Sequence, residues 1–152
     1  MLKAGEKAPE FKLESTGGGE VSLKALRGKK VVLYFYPKDN TPGCTKEACD
    51  FRDEQAALKK AGAVVFGVSK DKIDSHHKFK ERFKLSFELL SDPDLSVARA
   101  YGAYGKKTMF GVSTTGMIRS TFLIDENGVV QAVWPKVKVI GHADEVLAAL
   151  QS

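Results

Sequence analysis

The chain has 152 residues, 43% of them apolar and 28% charged, and a formal net charge of +5 with a pI near 9.1. That length predicts one domain over residues 1–152, with a sizeable core and a polar surface. No apolar run approaches the roughly 20 residues of a membrane span, and the N-terminal MLKAGEKAPEFKLE lacks the apolar centre of a signal peptide. The basic residues alternate with acidic ones, as in Lys78, Lys80, Glu81, Arg82 and Lys84, and no nucleic-acid motif accompanies them. The expectation is a cytoplasmic protein with neither membrane nor nucleic acid as partner.

Residues 1–30 read as an appended β unit, with short apolar segments at 11–13 and 21–23 around Ser15-Thr16-Gly17-Gly18-Gly19. Those glycines suit a hairpin turn. A phosphate loop would need a following Gly-Lys-Ser/Thr, which is missing. The run 31–36 is continuously apolar, β-branched and aromatic, as in a strand buried on both faces. Pro37 ends it, and Thr41-Pro42 has the form of a helix start. That helix is predicted to run to about residue 61, with Gly62 as its stop.

A second buried strand is expected at 64–69, a helix at 73–83, a short strand at 89–91 and a short helix at 96–101. The glycine-rich stretch 102–116 reads as irregular. A strand at 121–125, a turn at Glu126-Asn127-Gly128, a partner strand at 129–134 and a helix at 143–151 close the chain. Alternating strands and helices imply a mostly parallel sheet covered on both faces. The terminal hairpin and helix resemble a thioredoxin-like α/β fold with an N-terminal β-hairpin extension, in which a mixed central sheet is flanked by helices.

Both cysteines, Cys44 and Cys49, lie in the segment that joins the strongest strand to the strongest helix start. On this reading Cys44 is the third helical residue, where unpaired N–H groups and the helix dipole favour a thiolate. Five helical residues give about 7.5 Å of rise and about 140° of rotation, which separates the two Cα atoms by about 8.6 Å. A disulfide needs less than about 7 Å, so the pair can bond only if the first turns unwind. Other readings compete. The cysteines could be small core residues, or metal ligands, although His76, His77 and His142 lack ligand spacing to them. The adjacent His76 and His77, in a basic helix, are expected at the surface.

Pro37, Thr41 and Cys44 place a rigid ring, a hydroxyl and a thiol around one helix N-terminus. The hydroxyl could hydrogen-bond a small polar substrate or merely cap the helix. A substrate with a weak O–O bond needs a thiolate nucleophile and donors for the developing negative charge. Helix N–H groups supply some donors, and Arg119, just before the strand at 121–125, could supply more; a surface arginine is the alternative.

The segment PKDNTPGCTKEAC resembles the active-site signature of peroxiredoxins, Pro-x-x-x-Thr-x-x-Cys, and RSTFLID supports the resemblance. The second cysteine five residues on is similar to the bacterioferritin-comigratory-protein, or peroxiredoxin Q, subfamily. LLSDPD, AYGAYG and GHADEVL extend the likeness over nearly the whole chain. The resemblance implies a thiol peroxidase acting on hydrogen peroxide and organic (alkyl) hydroperoxides in antioxidant defence and redox homeostasis. It implies no metal, haem or flavin.

By resemblance Cys44 is the peroxidatic and Cys49 the resolving cysteine, joined in turnover by an intramolecular disulfide. Thr41 hydrogen-bonds the peroxide, Pro37 shields the sulfur, and Arg119 stabilises the thiolate and orients the substrate. The backbone N–H groups of Gly43 and Cys44 contact the substrate. Glu47 falls where a residue often orients the arginine, though a surface glutamate explains it equally. Recycling by thioredoxin or a similar dithiol protein and a monomeric state are implied as well. A redox sensor that does not turn over and a general disulfide reductase are the alternatives; the Pro-x-x-x-Thr frame and the five-residue spacing argue against the reductase.

Overall fold

The computed structural model describes residues 1–108 and 110–152. Among the described residues nine strands and five α-helices follow in the order β1 (Lys12–Ser15), β2 (Glu20–Ser22), β3 (Lys30–Phe35), α1 (Pro42–Asp53), α2 (Gln55–Lys60), β4 (Ala63–Ser69), α3 (Ile73–Phe83) and β5 (Glu88–Ser91). They continue with α4 (Ser96–Tyr101), β6 (Tyr104–Met109), β7 (Val112–Met117), β8 (Ser120–Ile124), β9 (Val130–Trp134) and α5 (His142–Gln151). Seven strands form one sheet in the order β2-β1-β5-β4-β3-β8-β9. Among the described residues no helix is long and apolar enough to cross a membrane.

The sheet is mixed rather than mostly parallel: β3–β4 and β4–β5 run parallel, and β1, β2, β8 and β9 join antiparallel. The difference follows from the connections. Helical crossovers separate β3, β4 and β5, whereas hairpins join β1 to β2 and β8 to β9. The central strand β3 shows the expected two-sided burial. Val31, Leu33 and Phe35 enter the core shared with Val97, Ala98 and Tyr101 of α4. Val32, Tyr34 and Tyr36 enter the core built with Phe51, Leu58, Phe79, Val146 and Leu150 of the other helices.

Two expected elements are revised. The long helix is two, broken at Glu54, whose φ of −91° and ψ of 2° turn the chain. Phe51 and Leu58, on either side of the break, are both buried. The apolar period survives it, and neither glycine nor proline marks it. The stretch 102–116 is not irregular, because β6 and β7 pair from Tyr104↔Met117 inward as a separate two-stranded ribbon. Phe110 and Gly111, with φ of 54° and 78°, form its two-residue turn in the left-handed conformation that tight hairpins require.

The functional geometry gathers at the C-terminal ends of β3, β4 and β5, the usual ligand edge of such sheets. The loop 37–41 leaves β3 there and leads directly into α1.

Candidate active site

Helix α1 begins as its residues dictate. Thr41 is the N-cap with extended φ/ψ of −85° and 153°, and Pro42 occupies the first turn. The first helical hydrogen bond runs from the Thr45 N–H to the Thr41 carbonyl, 2.8 Å. The Gly43 and Cys44 N–H groups therefore have no intrahelical acceptor. The Thr41 side chain does not cap them. Its hydroxyl instead donates back to the Lys38 carbonyl at 2.9 Å, which leaves its oxygen lone pairs as acceptors.

Arg119 reaches this helix end through sheet register. Strand β8 runs antiparallel to β3 with Tyr34↔Thr121 and Phe35↔Ser120, so the residue before β8 arrives at the end of β3, where α1 starts. Arg119 Nη2 lies 3.1 Å from Cys44 Sγ, and Nη1 donates to Glu47 Oε1 at 2.7 Å. Arg119 is thus no surface arginine bystander. Glu47 is not a surface residue either, being 1% exposed. Gly43 completes the fit, since a Cβ there would stand 3.3 Å from Arg119 Nη2.

Electrostatics follow from burial. Glu47 is pushed up to about 7 by loss of water, against the downward pull of Arg119; its Oε2 is buried without a hydrogen-bond partner. Burial works against the Arg119 charge, but Glu47 and Cys44 outweigh it and hold its pKa above the ordinary value. Beneath the helix the Tyr34 ring stacks on Phe51 at 4.9 Å. Burial first, then the Glu47 and Cys44 charges, keep its phenol well above its ordinary pKa.

Cys44 is buried and Cys49 partly so, and both are free thiols on the continuous helix. Cys49 is one residue past the buried Ala48 and is not brought to Cys44 in this helical state. Pro37, at the end of β3, forms one wall of a cleft of about 220 Å³ with Leu95, Tyr104, Met117 and two lysines, Lys70 and Lys107. Thr41, Gly43, Cys44, Glu47 and Arg119 gather at the helix end, whereas the cleft beside Pro37 is lined by none of them.

One group escaped sequence reasoning. His76, expected at the surface, is fully buried, because α3 turns it inward with Phe79, three residues on. It meets Asp39, and Asp71 lies alongside, with ligand-type atoms of all three within 4.8 Å. Metal-binding residue types meet here, but hydrogen bonds among them already account for the arrangement. The available signal was an aspartate inside the signature loop facing a polar Ser69-Lys70-Asp71 strand end.

A buried free thiol, a guanidinium at hydrogen-bond distance and two free amides at a helix N-terminus, on a thioredoxin-like sheet, form an arrangement suited to a thiol peroxidase. The AhpC/TSA family profile matches residues 4–133, and the chain belongs to that family. Within it, a putative peroxiredoxin bcp of Coxiella burnetii is 55% identical over 149 residues, covering 98% of this chain and 99% of that one. Peroxiredoxin Bcp of Bacillus subtilis is 46% identical, covering 99% and 96%. The structure of Xanthomonas campestris bacterioferritin comigratory protein, solved for insight into its alkyl peroxide reduction activity, has a TM-score of 0.87 at 45% identity over 93% of this chain and 90% of that one.

Proposed function

We propose that this thiol peroxidase reduces hydrogen peroxide and organic hydroperoxides through Cys44, resolves through Cys49, and is recycled by thioredoxin or a similar dithiol protein. The observation that carries the reading is Arg119 Nη2 at 3.1 Å from Cys44 Sγ, beside the free amides of Gly43 and Cys44. The Cys44 thiolate attacks one peroxide oxygen and the O–O bond breaks. Sulfur is oxidised by two electrons to a sulfenic acid, and the other oxygen leaves with a proton as water or alcohol. Thr41 accepts a hydrogen bond from the bound hydroperoxide; Arg119 and the amides receive the developing negative charge. Pro37 shields the sulfur.

The first turns of α1 then unwind, and the Cys49 thiolate attacks the Cys44 sulfur. The sulfenic oxygen leaves as water, and the disulfide passes its oxidising equivalents to the dithiol reductant. The cycle needs no metal, haem or flavin. It suits a single-domain monomer working in a reducing cytoplasm in antioxidant defence. Peroxide consumption driven by a thioredoxin system tests this on wild type, Cys44→Ser and Cys49→Ser. Cys44→Ser should be inactive. Cys49→Ser should react once and accumulate sulfenic acid. Full activity in the first, or undiminished thioredoxin-driven turnover in the second, refutes the assigned roles.

A further inference from the structure

The Thr41 hydroxyl can act as an acceptor because its own hydrogen is committed to the Lys38 carbonyl. That carbonyl belongs to the Lys38–Asp39 peptide unit, and the same unit is held from its other side: the Asp39 N–H donates to Asp71 Oδ2 at 2.9 Å. One planar peptide therefore links a carboxylate on one edge to the substrate-facing hydroxyl on the other. A hydrogen bond to a charged acceptor is stronger than a neutral one, and it polarises the amide so that its carbonyl accepts more strongly.

Neither end of this link is loose. Asp71 Oδ2 also accepts from Ser69 Oγ at 2.6 Å, the Asp71 N–H donates to Ser69 Oγ at 3.1 Å, and the Asp71 carbonyl accepts from Ser91 Oγ at 2.6 Å. Asp71 is thereby tied to the ends of both β4 and β5. The Asp39 side chain is 2% exposed. Its Oδ1 accepts from Tyr36 Oη at 2.6 Å, and its Oδ2 accepts from Ser75 Oγ at 2.8 Å and faces His76 Nδ1 at 2.7 Å. His76 Nε2 faces the Leu90 carbonyl at 2.9 Å. A carbonyl only accepts, so Nε2 is the ring nitrogen that donates there.

From this we infer that Asp71, with the Asp39–His76 pair behind the loop, is a positioning residue for peroxide reduction: it fixes the Lys38–Asp39 peptide and so the direction of the Thr41 hydroxyl. The inference rests on the proposed peroxidase chemistry at Cys44. The loop 37–41 and its anchors lie outside α1. They give the switching helix a fixed origin from which to unwind and to which it returns.

The test is a double-mutant cycle on the rate of Cys44 oxidation by hydrogen peroxide, with Asp71→Asn, Thr41→Val and the double variant. Cys44 alkylation by iodoacetamide, which needs the thiolate but no peroxide acceptor, is measured in parallel. Asp71→Asn should slow peroxide oxidation about tenfold, the scale of one misdirected hydrogen bond, and leave alkylation within about twofold of wild type. In the Thr41→Val background it should add almost nothing, because the residue it acts through is gone. Ser69→Ala, which loosens Asp71 without removing its charge, is the second variant should Asp71→Asn fail to fold; a smaller loss of the same pattern is expected. An equal penalty with and without the Thr41 hydroxyl, a parallel loss in alkylation, or an unchanged peroxide rate overturns the inference. A wild-type Cys44 that peroxide does not oxidise overturns the peroxidase reading instead.

Discussion

Glu47 shows how one buried residue can carry a measurable pH dependence. Its carboxyl is raised from 4.5 to about 7, chiefly by burial, and Oε2 has no partner to help it hold a charge. A group whose folded pKa lies above its unfolded one stabilises the fold fully below the unfolded value, and that contribution is lost as pH rises through the folded value. The relevant window is therefore from 4.5 to about 7. The shift corresponds to about 3 kcal/mol. Glu47→Gln keeps an acceptor for Arg119 but cannot titrate. In urea unfolding from acid to mildly alkaline pH, wild type should lose up to about 3 kcal/mol relative to the variant across that window. Parallel stability curves would show that Glu47 is not the titrating group. At this scale the sequence was legible wherever a residue sits within the signature: Pro37, Thr41 and Cys44 stand around the predicted helix start. Arg119 was a candidate by residue type, but its placement beside Cys44 needed the resemblance, because its approach depends on the β3–β8 register. Asp39, Asp71 and His76 were missed because their meeting depends on which face of α3 turns inward at the ends of three strands, and a basic helix gives few apolar positions from which to read that face.

At the scale of elements, strands and most helices were legible because their burial period is strong. The limits of α3 and α4 match the expectation, while the break at Glu54 and the β6–β7 ribbon do not. A break that preserves the apolar period leaves no trace in it, and an exposed ribbon has little apolar alternation to show. The break matters for function, since it separates α1, which carries both cysteines, from α2. Helix α1 is continuous and both thiols are free, so the geometric conflict between helix and disulfide stands: about 8.6 Å between Cα atoms on a helix against less than about 7 Å in a disulfide. Oxidation should therefore melt the first turns of α1 and spare α2, α3 and the sheet. Hydrogen exchange followed by mass spectrometry on reduced and peroxide-treated protein should show lost protection within α1, stopping before the break. Cys49→Ser, which forms the sulfenic acid but not the disulfide, should keep its protection. A fully oxidised sample with α1 as protected as before would mean that the pair bonds by some route other than unwinding.

For the whole molecule, the sign of the disulfide's effect on stability is decided by comparing two magnitudes. Closing so short a loop lowers the entropy of the unfolded chain by the equivalent of about 2 kcal/mol, and a cross-link ordinarily raises the melting temperature. Here the cross-link opens a packed element. The buried face of α1 comprises Cys44, Glu47, Ala48 and Phe51, and it closes one of the two cores against Tyr34 and α5. The first turns carry Cys44, Glu47 and Ala48 of that face, and Phe51 of the last turn is buried in the same core; since a buried phenylalanine's packing is worth about 3–5 kcal/mol in full, even partial loosening around it offsets the entropic gain. The other core, between the sheet and α4, contains no residue of α1 and should hold the sheet together. The oxidised chain should therefore melt at a lower temperature than the reduced one. Its urea unfolding should also have a smaller slope, because less surface remains to be exposed. Calorimetry and urea titration of the two redox states, with Cys49→Ser as a control that cannot cross-link, measure both quantities. An oxidised form that melts higher, with an unchanged slope, would show that the disulfide is accommodated within the native packing and that the helix is not the switch.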